Sequence, residues 1–440
     1  MVEGVIIFMK IITLFEHEQL ILSDASPLRQ SHFYHLEKIN QQAGVELIHI
    51  GYKRIKAKSY VGVIQIGDVT IQILPKVDIT GQDNSKSESS VKSAVSNLLW
   101  MLIYAGELPV KESEISPLTR MKGNLFEIFV KIYCDRLLEE LGKGIFRNYQ
   151  EREETVPLLK GRWLIDKQLR EKPLMHNKFI VSYSDFTEDN SLNRILYYTV
   201  CYLRRMSDDI GNKNRLDILK AWFDEVELPN RITSHDIEKV TFTRLNVAFK
   251  PIFDLACTFL FHETMELSAG KTPIFSFLFD MNVLFERFIA GFIRCYRDKI
   301  LPDAYKNCEL LIQSRGDQRW LARNQKSDGR LMFRLRPDIV LRQSDHSVPL
   351  IVDTKYKIDQ RIAEGDAYQM HAYATCFECP EILILYPVSY MVPQNLSLEN
   401  PSSEIKPILR TYTINLRHDL SKARGREDLS EQLRQSFGGV

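Results

Sequence analysis

Asp338, Asp353 and Lys355 are the residues of this sequence whose types and spacing best suit chemistry. They lie in Arg336-Pro337-Asp338-Ile339-Val340 and Leu350-Ile351-Val352-Asp353-Thr354-Lys355. Two apolar runs, Asp338 to Leu341 and Leu350 to Val352, flank the polar, turn-prone Gln343–Ser347, which is the pattern of two adjacent strands. Residues two apart on a strand share a face, so Asp353 and Lys355 point the same way. Asp338, opening the neighbouring strand, is placed beside Asp353. Two carboxylates and an ammonium at a sheet edge suit Mg²⁺, a cation that activates water against a phosphodiester. Hard oxygens hold such an ion, and the lysine orients the water or offsets transition-state charge. The same spacing also fits a β-hairpin carrying solvated charges.

The surrounding elements favour the first reading. Met281–Ile289 reads as a helix whose apolar positions 281, 284, 285, 288, 289 and 292 form one face, with Glu286 at its border. Ala367–Tyr373 reads as a second helix and carries Gln369. Ile382–Tyr386 is an apolar strand ended by Pro387. In this arrangement Asp338 and Asp353 hold the metal, with the carbonyl of Thr354 as a further ligand. Lys355 polarises the attacking water, Glu286 is a more distant base or an additional ligand, and Gln369 orients the site or the DNA.

This order of elements resembles the PD-(D/E)XK nuclease core, written here as Pro337-Asp338 and Asp353-Thr354-Lys355. A closer resemblance is to the McrC family, the nuclease subunits of McrBC-type modification-dependent restriction systems. It rests on Arg334 to Ile339, Leu350 to Tyr356, Tyr368-Gln369 and Leu385-Tyr386-Pro387. Upstream, Lys160-Gly161-Arg162 and Glu188 to Arg194 also match, so the likeness covers roughly residues 91–415. The resemblance implies a Mg²⁺-dependent DNA endonuclease that docks on a McrB-like AAA+ ring, stimulates its GTP hydrolysis and cuts after translocation. GTP is then expected on the partner, because this sequence has no G-x-x-x-x-G-K-[ST] loop. Two alternatives stay open: an inactive activator of an AAA+ ring, and a stand-alone nuclease of DNA repair.

Composition bounds these readings. The 440 residues suffice for two or three domains. With 58 basic against 57 acidic residues, bulk charge does not bind DNA, so local patches or a partner must supply the grip. Seven scattered cysteines fit a reducing cytoplasm, and Cys376-Phe377-Glu378-Cys379 has no second pair with which to form a zinc site. The apolar start lacks a basic leader, and no run approaches the ~20 apolar residues of a membrane span.

The expected class is α+β and multidomain. Residues 1–80 read as a β-rich domain, with strands at Val5–Phe8 and Ile11–Phe15, a short helix over Phe33–Gln42 and a hairpin turning at Gly67-Asp68. Residues 81–90 are polar and serine-rich, a linker. Residues 91–270 read as mostly helical, with a short strand at Phe179–Tyr183 and a basic turn at Lys160-Gly161-Arg162 that suits DNA phosphate, a partner or nothing at all. Residues 271–415 form a PD-(D/E)XK-like α/β nuclease domain with a mixed sheet. Within it, Leu331–Leu335 is a strand extending into Asp338. Ser314–Arg330 is basic around Trp320 and suits either DNA backbone or a solvated hairpin tip. Residues 416–440 are a charged tail expected to fray.

Overall fold

The computed structural model describes residues 10–22, 26–76, 88–110, 124–172, 177–264, 274–313, 316–325, 329–357, 362–387, 394–399 and 406–438. The expected strand Val5–Phe8 and most of the expected linker, 81–87, lie outside them. The chain opens with β1 (Lys10–Phe15) and β2 (Gln19–Ile21), then α1 (Gln30–Ala43), stopped by Gly44 at φ 66°. Glycine reaches that left-handed conformation without a Cβ penalty. β3 (Ile48–Gly51), β4 (Arg54–Ala57), β5 (Tyr60–Ile66) and β6 (Val69–Leu74) follow. The β5–β6 turn falls at Gly67-Asp68, as the alternating pattern predicts, with Gly67 at φ 58°. The N-terminal region is therefore β-rich. β2, β4 and β3 form one small sheet, and β1-β6-β5-β10 is the order of a second, closed by β10 (Ile274–Asp280).

α2 (Glu88–Tyr104) and α3 (Leu125–Leu141) come next. The middle region is less purely helical than its composition suggests. β7 (Asn148–Val156) and β9 (Phe179–Thr187) pair along nine residues each, with β8 (Arg162–Trp163) on the other side of β9. Asn148 to Val156 is polar on both faces and mostly exposed, so it lacks the alternation that betrays a half-buried strand. α4 (Ser191–Met206) and α5 (Ile210–Ala221) follow. α6 (Lys250–Thr264) completes the region.

The remaining chain is α7 (Met281–Cys295), β11 (Glu309–Ile312), β12 (Trp320–Arg323), β13 (Leu331–Arg334), β14 (Ile339–Arg342), β15 (Leu350–Thr354), α8 (Glu364–Phe377), β16 (Glu381–Pro387), β17 (Asn395–Ser397), β18 (Ile408–Ile414) and α9 (Ala423–Gly438). Two sequence expectations fail here. Leu331–Arg334 does not run into Asp338 as one strand; it turns back on β12 in a separate two-stranded ribbon. The tail does not fray: α9 buries Leu429, Leu433 and Phe437, and Asn97 hydrogen-bonds the Leu416 carbonyl and the Leu420 amide. The spacing 429, 433, 437 is one helical face, outweighed in the sequence by the charges between.

The chain forms two compact units, neither contiguous in sequence. One consists chiefly of Leu125–Phe277 with Ile64–Thr70. Its core is aromatic, with Phe129 edge-on to Phe277 at 4.6 Å between ring centroids and Phe126 edge-on to Phe275. Within it, the buried Glu127 carboxylate accepts from Ser207 Oγ, the Asp208 amide and Asn212 Nδ2 at 2.7–2.8 Å. These bonds satisfy a charge that would otherwise be costly to bury.

The other unit consists of Ile11–Val63, Ile71–Asn124 and Leu278–Val440. Its six-stranded mixed sheet has the order β11-β14-β15-β16-β18-β17, antiparallel at the edges and parallel through β15-β16-β18. A parallel pair needs a long crossover, and α8 supplies it between β15 and β16. Met370, Tyr373, Ala374 and Phe377 on one face of α8 pack with Val340, Ile351, Ile382 and Ile384 of the sheet. α7 buries the apolar face read from its sequence. It crosses α2 at Gly291, where a Cβ would collide with the Tyr104 carbonyl oxygen.

Candidate active site

The site grows from the β14–β15 register. Ile339 pairs with Val352 in an antiparallel ladder, so the preceding Asp338 faces Asp353 one step on. The neighbouring strand fixes Asp338 by its backbone, through the Gln313 amide donating to the Asp338 carbonyl at 2.8 Å. Thr354 fixes its side chain: the amide and hydroxyl both donate to Asp338 Oδ2 at 2.7 Å. Thr354 therefore acts on the site through these two donors, an involvement different from the carbonyl the sequence suggested. Beyond β15, the Lys355 amide donates to the Leu385 carbonyl at 2.9 Å, which keeps the chain extended. Lys355 and Asp353 accordingly share a face, with Nζ 2.6 Å from Asp353 Oδ2.

Gln369 belongs to the cluster. Lys355 Nζ donates to Gln369 Oε1 at 3.1 Å, Gln369 Nε2 donates to the Tyr373 hydroxyl at 2.8 Å, and that hydroxyl donates to the Arg336 carbonyl at 3.1 Å. One turn of α8 thus ties the ammonium to the segment leading into Asp338. Glu286, half-buried on α7, accepts from Gln313 Nε2 at 3.0 Å.

The electrostatics are those of negative charge confined in a buried place. Burial first, then the charges of Asp353 and Glu286, push the Asp338 carboxyl well above the usual range, against the two Thr354 hydrogen bonds. Burial likewise raises Asp353, which the Lys355 ammonium partly offsets, while Glu286 and Asp366 add to the rise. Burial works against the Lys355 charge, yet Asp353, Asp338 and Asp366 together hold its pKa above the ordinary value. A divalent cation relieves this kind of repulsion, since bound metal is the largest local charge and inverts the pKa logic around it. Asp353 Oδ2 is also buried, with the Lys355 ammonium 2.6 Å away as its charged partner. The two facing carboxylates therefore fit a hard cation. Among the described residues no three His, Cys, Asp or Glu side chains converge as a ready-made cage. Mg²⁺ tolerates that, because it usually takes one or two carboxylates and keeps several waters.

Several contributors were not legible in the sequence. Tyr373 looks like a core aromatic, yet its hydroxyl links Gln369 to Arg336. Gln313, at φ 52°, gives no motif signal. Asp366, whose charge reaches Asp353, is paired with Lys357 at 3.0 Å. Tyr356, next to Lys355, donates at 2.6 Å to the buried Glu16, a contact across 340 positions.

The upstream motifs belong to the other unit, and their contacts are structural. In Lys160-Gly161-Arg162, Gly161 adopts φ 70° against the backbone of Ser182, and the Lys160 ammonium sits 3.7 Å from the Tyr183 ring centroid. In Glu188 to Arg194, Asn190 caps α4, Arg194 grips Asp189 by two bonds of 2.6 and 2.7 Å, and Asn193 holds the Phe146 and Glu188 carbonyls.

Known proteins agree with this architecture. A chain in the refined half-complex from the tetradecameric assembly of Thermococcus gammatolerans McrB AAA+ hexamers with bound McrC superposes with a TM-score of 0.67. That match covers 97% of this chain and 99% of the other, at 23% identity, and speaks for the fold alone. A chain in the cryo-EM structure of the T. gammatolerans McrBC complex matches at TM-score 0.50 and 27% identity, over 65% of this chain and 87% of that one. The type IV methyl-directed restriction enzyme EcoKMcrBC of Escherichia coli K12 is 24% identical over 272 residues, 60% of this chain and 73% of that protein. The family model for the McrBC 5-methylcytosine restriction system component matches residues 55–387, most of the chain, including every residue of the carboxylate–lysine cluster. The chain belongs to the McrBC 5-methylcytosine restriction system component family.

Proposed function

We propose that this chain is the Mg²⁺-dependent DNA endonuclease subunit of a McrBC-like, modification-dependent (type IV) restriction complex of the cytoplasm. In this reading it works on a McrB-like AAA+ ring, which binds and hydrolyses GTP and whose hydrolysis it stimulates. The observation that carries the proposal is the placement of Asp338 and Asp353 face to face, with Lys355 on the same face, at the end of a buried mixed sheet of PD-(D/E)XK-like order. The family membership and the fold shared with McrC bound to McrB hexamers support the partner. Among the described residues no helix is long and apolar enough to cross a membrane.

Asp338 and Asp353 would hold the cation, with Glu286, whose charge reaches both carboxylates, as a more distant base or an additional ligand. The ion, when bound, supplies Lewis acidity and a more acidic water. Lys355 does the rest of the positive work: its ammonium, held by Asp353 and Gln369, is placed to orient the attacking water and to meet charge building on the phosphate. Tyr373 and Gln369 keep Lys355 from swinging away. Thr354 holds Asp338 in the orientation that faces Asp353.

The test is cleavage of methylated and unmethylated plasmid by the wild-type chain with Mg²⁺, alone and with its AAA+ partner and GTP. Cutting of methylated DNA by the complete mixture is the expected result. Stimulated GTP hydrolysis without cutting under any condition would favour an inactive activator, and indifference to methylation would favour a repair nuclease.

A further inference from the structure

The β12–β13 ribbon is unusual for a soluble chain. Each strand has four residues, and the pairing runs Trp320 to Arg334, Ala322 to Met332 and Arg323 to Leu331. An isolated two-stranded ribbon is marginally stable in water. This one nonetheless presents Leu321, Leu331, Met332 and Phe333 to solvent, with Phe333 65% exposed. Phe333 also takes φ 59°, a costly conformation for a bulky residue that usually marks function. An exposed apolar cluster of this kind marks a binding surface.

The base of the ribbon is clamped. Arg319 donates to the Cys376 carbonyl at 2.8 Å, lies 4.6 Å from the Phe377 ring centroid and pairs with Asp317 at 3.2 Å. Cys376 and Phe377 are at the end of α8, the helix that carries Gln369. On the other side, β13 leads through Leu335, Arg336 and Pro337 directly into Asp338. The base of the ribbon is therefore tied through both of its strands to elements of the carboxylate–lysine cluster. Its charge identifies the partner. Among the described residues 316–325 and 329–336 there are five arginines and one aspartate, in a chain whose net charge is only +1. Apolar side chains among arginines suit duplex DNA, whose major groove exposes thymine methyls between two phosphate backbones.

We propose that the β12–β13 ribbon lies in the major groove of duplex DNA beside the scissile phosphate, with Leu321 and Phe333 against base edges and Arg323 on the flanking backbone. A two-stranded ribbon fits the width of that groove, and apolar contacts to base edges complement arginine contacts to phosphate. The inference rests on the nuclease reading for where the DNA lies, but its test does not need cutting.

The experiment uses the full chain with its AAA+ partner, GTP and methylated duplex, in an Asp353→Ala background that keeps the DNA whole. Dimethyl sulfate reads guanine N7, a major-groove atom. The expected result is N7 protection in a short stretch, lost when Leu321→Ser and Phe333→Ser are added. In the cleavage-competent background the same pair should lower the cutting rate at least about tenfold, and Arg323→Ala should reduce the salt slope of binding by about one. N7 protection unchanged by the pair would overturn the inference. So would loss of assembly with the partner, seen by size-exclusion chromatography, because the surface would then belong to a protein. A wild type that protects N7 but never cuts would instead refute the nuclease reading and leave the ribbon assignment standing.

Discussion

At the scale of residues, the proposed chemistry depends on one ammonium and the groups that hold it. Lys355 is fixed by Asp353 on one side and by Gln369 on the other. Lys355→Ala should lower the cutting rate by about 10²–10³, the cost of removing one preorganised electrostatic contact. Gln369→Ala leaves the charge but frees it, and should cost about tenfold or less by the same reasoning. Single-turnover cleavage by each variant in complex with its partner checks both; equal losses would mean that Gln369 touches DNA directly. Asp338, Asp353 and Lys355 were legible in the sequence because charged residues ending apolar strands stand out against a period of two. Glu286 was legible as a polar residue bordering a helical face, and Gln369 through the resemblance of Tyr368-Gln369 to the family pattern. Tyr373 and Gln313 were not, because a hydroxyl or amide that reaches a distant carbonyl or carboxylate leaves no trace in local spacing.

At the scale of elements, Glu16 joins the N-terminal strands to the site. It follows β1, is 2% exposed, and its Oε2 accepts from the Tyr356 hydroxyl at 2.6 Å and the Lys76 amide at 3.1 Å. Burial pushes its carboxyl up to about 7, with Asp280 adding to the rise and Tyr356, the Lys76 amide and the Lys76 charge opposing it. A carboxyl raised in the folded state contributes stability that is fully present below its unfolded pKa and is lost as pH rises through the folded value. Glu16→Gln cannot ionise and keeps an acceptor for Tyr356. The variant should therefore gain on the wild type between about pH 4.5 and pH 8, reaching about 3 kcal/mol. Denaturant midpoints of the two proteins across that range check this, and a constant difference would contradict it. Helix packing makes a second prediction. Gly291→Ala should force α7 away from the Tyr104 carbonyl and cost about 1–3 kcal/mol, read as a lower denaturant midpoint. A helix-propensity scale alone predicts the opposite sign, a gain of about 1 kcal/mol. α7 and the strands β14, β15 and β16 were legible because each is strongly periodic or continuously apolar, whereas α8 is neither and was read only over Ala367–Tyr373. β7 was not, being polar on both faces, although its partner β9 was read in part as the strand Phe179–Tyr183.

At the scale of the whole molecule, the near-zero net charge leaves little long-range attraction for DNA. The isolated chain should bind duplex weakly and with strong salt dependence, and the AAA+ partner should raise affinity at least about tenfold by adding a second, linked contact. Fluorescence anisotropy at physiological salt distinguishes this from a chain that binds equally well alone. The overall class, a β-rich start and a mixed sheet near the C-terminus, was readable in order along the chain. The two compact units were not, because one joins Ile64–Thr70 to Leu125–Phe277 and the other joins Ile71–Asn124 to Leu278–Val440, and only tertiary packing brings such segments together. α9 escaped for a related reason: its buried stripe is thin among charges, and its anchor, Asn97, lies far upstream.

Asp338, Asp353 and Lys355 are proposed as the hydrolytic centre. The most direct measurement compares wild type with Asp353→Ala, both assembled with the AAA+ partner, GTP and methylated plasmid, across a Mg²⁺ titration. Cleavage should rise with Mg²⁺ in the wild type and be absent at every concentration in Asp353→Ala, while both stimulate GTP hydrolysis equally. Mg²⁺-dependent cutting by the variant at the wild-type rate would place the chemistry elsewhere.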